Sequence, residues 1–166
     1  MRALLLVALA GCASSGPSLD PAKLDTLDYG APAGWKSRDV SAPQTAAVEW
    51  TPEGDNDRKE SLVISRVPQP ALAAAKSRPH LRRALVEANT QLPDARFSSP
   101  TPIVTRGGFS GLRVEGTFTP PTQAVSYHRI HAVLVDGTSL VHVLYTARDP
   151  DRDYIGAVLD GLQPGA

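Results

Sequence analysis

The sequence predicts an α+β fold, an antiparallel β-sheet covered by helices. Three observations predict it. Segments with period-two alternation of apolar and polar residues lie before and after a stretch of helical periodicity, and a second helical stretch closes the chain. An Asp-Gly pair, Asp136-Gly137, sits between two β-branched runs, a strong short-range sign of a hairpin. About 140 residues remain once the N-terminal segment is set aside, enough for one domain with a core that needs no disulfide.

The elements follow in order. Residues 27–40, "LDYGAPAGWKSRDV", read as a short extended segment, a Pro/Gly turn and a second short strand. In 45–51, "TAAVEWT", Val48 and Trp50 share one face and Glu49 takes the other. The polar stretch 52–60 and the apolar 61–67 complete a hairpin with a long loop. Residues 71–92 carry helical spacing, with Ser77 as cap and Pro79 in the first turn, where its missing N–H costs little. Leu81, Leu85, Ala88 and Leu92 are expected to face the core. "PDARFSSPTP" reads as a loop, "IVTRGG" and 109–120 as extended chain. Residues 124–135 and 138–147 form the Asp136-Gly137 hairpin. The last helix has Asp149 as N-cap, Pro150 in its first position, and Ile155, Val158, Leu159 and Leu162 as its apolar stripe.

The N-terminus carries an address. One positive charge, Arg2, precedes an apolar run that is too short for a bilayer span, which needs roughly 20 residues, and fits a secretory signal. The run ends in Leu9-Ala10-Gly11-Cys12, which resembles the lipobox of bacterial lipoproteins: an aliphatic residue, two small residues, then cysteine. In that family cleavage precedes the cysteine and the thiol is acylated. The resemblance implies a signal peptide over 1–11 and a lipidated Cys12. It also implies anchorage in the bacterial envelope, facing the periplasm. Ala13, in place of aspartate, resembles the outer-membrane sorting pattern. Cys12 is the only cysteine in the chain, so no internal disulfide is available. Residues 12–26, rich in Ser, Pro, Gly and Ala, are expected to form a flexible tether, and 27–164 the domain.

Seventeen Lys and Arg balance seventeen Asp and Glu. That balance argues against nucleic acid as a partner and against a broad basic membrane patch. A second resemblance rests on element order and on Tyr29-x-x-Pro32-x-Gly34-Trp35. Together they are similar to the PsbP-like, Mog-type domain, an α/β/α sandwich. It implies a binding or scaffold module without chemistry of its own.

Catalytic motifs are sought in vain. "GFSGL" has Gly108 and Ser110 but Leu112 where a nucleophile elbow needs glycine, and strand-like flanks on both sides. No catalytic residue and no cofactor is assigned. The strongest alternative to a binding module is a metal-binding or hydrolytic centre on His131 and His142. A turn at Asp136-Gly137 sets these directly opposite each other on one face, with Ile130, Ala132, Leu134, Val141 and Val143 as core on the other. Arg78, His80, Arg82 and Arg83 crowd the start of the helix and suit an anionic lipid or a carboxylate-bearing partner. Tyr29 and Trp35, beside a Pro/Gly turn, are candidates for a recognition loop or for core. The expectation is a lipid-anchored, non-catalytic module that binds an envelope protein or component.

Overall fold

The computed structural model describes residues 17–54, 60–70 and 78–165. The strands in chain order are β1 (Leu19–Leu24), β2 (Leu27–Pro32), β3 (Trp35–Asp39), β4 (Ala46–Pro52), β5 (Glu60–Pro68), β6 (Arg96–Phe97), β7 (Thr101–Val104), β8 (Ser110–Phe118), β9 (Tyr127–Asp136), β10 (Ser139–Ala147) and β11 (Gln163–Pro164). Helix α1 covers Arg78–Thr90 and α2 covers Arg152–Asp160. All strand pairings are antiparallel, which makes the fold α+β as expected.

There are two sheets among the described residues rather than one. The large sheet runs β3-β4-β5-β10-β9-β8-β6, with β7 also paired to β8; the small one runs β1-β2-β11. Strand alternation gives the large sheet two apolar faces. On one, Leu62, Ile64, Ile130, Leu134 and Val141 pack with the small sheet and α2. On the other, Leu112, Val114, Val133 and Leu140 pack under Leu81 and Leu85 of α1. Full burial of each Leu or Ile contributes about 1.5–3 kcal/mol, so both faces hold the layers together.

The Tyr29–Trp35 motif marks the passage between sheets. Pro32 ends β2, and Gly34 takes φ +76°, a left-handed value that suits glycine. Trp35 then opens β3 in the large sheet. The hairpin of 45–67 forms as read, with Val48 opposite Ile64.

Four details differ from the sequence reading. First, the stretch assigned to the tether contributes β1. Leu19, Ala22 and Leu24 pack against the core, three apolar contacts hidden in a Ser/Pro/Gly-rich composition. Second, β6 and β7 occupy the segment read as loop and continuing strand, because each finds a partner on β8. Third, α2 is capped by Asp151, whose carboxylate accepts from the Tyr154 backbone N–H at 2.9 Å; Asp149 and Pro150 lie before the helix. Fourth, Ala88 is exposed and Leu92 lies beyond α1. The buried face of α1 is Leu81, Leu85 and Asn89, spaced four apart, and Ala88 sits to one side of that arc. The Ser77 cap lies outside the described residues.

Candidate functional site

The β9–β10 hairpin forms, but its turn is Gly137-Thr138, with Asp136 opposite Ser139. Gly137 takes the first turn position at φ +56°, where a turn with its left-handed residue first requires glycine. Asp136 stays in the strand, its carboxylate receiving Arg66 Nε at 2.8 Å. Each partner therefore moves by two. His131 faces Leu144 and His142 faces Val133, which corrects the direct pairing. A shift of two preserves the faces, so the histidines become diagonal neighbours on the side under α1.

Their rings still meet, and α1 supplies a third group. His131 Nε2 lies 3.1 Å from His142 Nδ1, and Asn89 Nδ2 lies 3.1 Å from His131 Nδ1. Asn89 Nδ2 also donates to the Leu85 carbonyl at 2.7 Å, which identifies it as the amide nitrogen. His131 Nδ1 must then accept. A neutral imidazole carries one proton, so His131 donates from Nε2 to His142 Nδ1, and His142 keeps its proton on Nε2. The hydrogen bonds thus occupy His131 Nδ1 and His142 Nδ1, the two lone pairs a metal would need.

Burial keeps this chain neutral. Asn89 is 1% exposed and His131 7%. Burial, then the neighbouring His142, then Arg129, push His131 down to about 3, and burial lowers His142 as well. At neutral pH neither ring carries charge. Among the described residues no three His, Cys, Asp or Glu side chains converge as a metal site would require. The arrangement as it stands is a polar seam joining α1 to the sheet. Asn89 was missed in the sequence because its polar side chain breaks an apolar pattern; the exact spacing of four from Leu85 was the available sign.

Beside this seam runs a groove of about 390 Å³ between α1 and the β6–β7 edge. Arg82 and Val86 stand on the helix side, Arg96, Phe97 and Pro100 on the strand side, and buried Val114 at the base. Arg82 and Arg96 are exposed, and among the described residues neither has an ion-pair partner. Arg83 behaves differently: it lies 4.0 Å from Glu87 and within 3.5 Å of His80. Arg78 is the first residue of α1.

Tyr29 belongs to the core rather than to a recognition loop. It is 4% exposed, and its hydroxyl accepts from Trp50 Nε1 at 3.0 Å. Burial raises its pKa, with the Trp50 bond acting in the opposite direction. Trp35 is half-buried and stacks on Tyr154 with 5.6 Å between ring centroids. Tyr154 in turn packs on Tyr145, whose hydroxyl donates to Glu60. These aromatics tie the small sheet, the large sheet and α2 together. Cys12 lies outside the described residues.

No protein-family model matches the chain, and no curated protein sequence matches it. Solved structures do. A Bacteroides thetaiotaomicron protein superposes with a TM-score of 0.56 at 11% identity, over 85% of this chain and 46% of that one. This chain therefore spans less than half of that protein. LpqN of Mycobacterium tuberculosis, described as involved in cell envelope biogenesis, superposes with a TM-score of 0.51 at 17% identity, over 90% of this chain and 88% of its own. PA94 of Pseudomonas aeruginosa, a protein of unknown function, gives 0.48 at 16% identity, over 78% and 82% of the two chains. At these identities the first two likenesses show a shared fold, and the third carries no argument.

Proposed function

We propose that this chain is a lipid-anchored, non-catalytic envelope protein whose domain binds a protein or another envelope component. The observation that carries the reading is Leu9-Ala10-Gly11-Cys12 placed directly ahead of a folded domain, with an apolar run and a positive charge before it. Two further observations support it. The domain shares its fold with LpqN, an envelope-biogenesis protein. The histidine pair, the most reactive grouping in the sequence, is closed into a neutral hydrogen-bonded seam. The PsbP-like resemblance points the same way, toward binding without chemistry.

Intact mass of the native protein tests the anchor. Expected is a chain that begins at Cys12 and carries acyl groups; an unmodified thiol, or another first residue, overturns it. Changing Cys12 to Ser should leave the fold intact and release the protein from the membrane fraction or leave it uncleaved. Cross-linking in intact envelopes tests the binding role, with a discrete partner expected and its absence counting against the reading.

A further inference from the structure

We propose that the groove between α1 and the β6–β7 edge docks an acidic peptide segment bearing an aliphatic side chain. The proposal deepens the binding reading above and rests on it.

Charge is the first argument. The chain is neutral overall, and six described arginines have acidic partners: Arg38 with Glu49, Arg66 with Asp25 and Asp136, Arg83 with Glu87, Arg106 with Asp160, Arg113 and Arg152 with Glu115; Arg129 and Arg148 lie over the rings of Phe118 and Tyr127. Arg82 and Arg96 have none and stand on opposite walls of one groove. Two arginines on one groove without acidic partners among the described residues attract carboxylates, and Arg suits them by its forked donors.

The apolar content is the second. Val86, 37% exposed, is one of few large hydrophobic side chains left at the surface. It lines the groove together with the two arginines, half-buried Phe97 and buried Pro100. Such a strip takes an aliphatic side chain while the walls take the flanking charges.

The broken edge is the third, and it selects a peptide held by its side chains. β6 and β7 are one edge interrupted at 98–100, where the Ser98 N–H donates to the Glu115 carbonyl and the Ser98 hydroxyl accepts from the Glu115 N–H. Pro100 and Pro102 remove backbone donors there, so this edge cannot extend the sheet by adding a continuous strand. An open groove encloses little of a small ligand, whereas a peptide gains contacts past both walls. A membrane surface would favour a broad projecting apolar face; here a single exposed aliphatic side chain, Val86, stands beside half-buried Phe97 and buried Pro100.

The test begins with a randomised heptapeptide library selected against the immobilised full chain. The enriched peptides are then titrated by fluorescence anisotropy and by amide chemical shifts. Expected are sequences with Asp or Glu flanking Leu, Ile or Val, and shifts concentrated at 82–100. Arg82→Glu with Arg96→Glu should weaken binding about tenfold or more, and rising salt should weaken the wild type. Arg83→Glu, on the same helix, should change it less than about twofold. Melting curves confirm that the variants fold. Neutral or basic enrichment, or affinity indifferent to the double reversal, overturns the proposal. So do shifts at 82–100 with phosphatidylglycerol vesicles and none with peptides. An envelope partner that still cross-links to the doubly reversed protein removes the groove and leaves the anchored binding module standing.

Discussion

Acidification should weaken this protein through His131. Folding buries the ring in a neutral seam and lowers its pKa from 6.5 to about 3. The unfolded chain therefore binds more protons than the folded one between those values. Stability from this group is complete above about pH 6.5 and falls as pH drops toward 3. At pH 5 the folded ring is still neutral while an unfolded ring is mostly charged. The difference is about 2 kcal/mol for His131 alone, from 1.36 kcal/mol per unit of displaced titration. His142, also lowered by burial, adds in the same direction. The assay is urea unfolding at several pH values from 7.5 to 5, read by the fluorescence of Trp35 and Trp50. His131→Gln keeps an acceptor for Asn89 and a donor for His142 but cannot titrate. It should flatten the pH dependence by about 2 kcal/mol over that range, and adding His142→Gln should flatten it further. Carboxylates titrate in all three proteins and cancel in the comparison. If His131→Gln keeps the full wild-type slope, the buried neutral seam is the wrong account.

Two pairs of substitutions test the packing. A Cβ on Gly111 would lie 1.9 Å from the Val133 carbonyl oxygen, so Gly111→Ala must push β8 off β9 and should destabilise by about 3 kcal/mol or block folding. Gly156 meets nothing within 4 Å, so Gly156→Ala should stabilise α2 by about 0.5–1 kcal/mol in the same thermal melts. Asp151→Ala removes the cap of α2 and should cost about 1 kcal/mol, while Asp149→Ala should be close to neutral; equal losses from the two would return the cap to Asp149.

The parts legible in the sequence are those governed by local pattern. Alternation identified Val48 on one face of β4, the two faces of β9 and the apolar core of β10, and the same reading placed Tyr29 and Trp35 at a turn. The parts it hid depend on partners far along the chain. β1 is readable only through its pairing with β2, and β6 and β7 only through β8. The turn moved by one residue because glycine is needed first rather than second, and Arg66, a distant residue, holds Asp136 in the strand. The histidines were placed on the right face and in reach of each other. Their function as a seam depended on Asn89, 42 positions from His131, and no local rule joins residues at that separation.

The early start of β1 has a consequence for how the domain meets its surroundings. With Cys12 acylated as proposed, six intervening residues, and so seven residue steps, separate the anchor from Leu19, the first residue of β1. Fully extended they reach about 23 Å, less than the diameter of a domain of this size, roughly 30–40 Å. A domain held in that way would stay close to the lipid surface. It would sample a thin layer there, and every partner confined to that layer would meet it at a raised effective concentration. Weak, open grooves become serviceable under those conditions. Lengthening the segment before Leu19 with Gly-Ser repeats would dilute that advantage without touching a single contact in the fold.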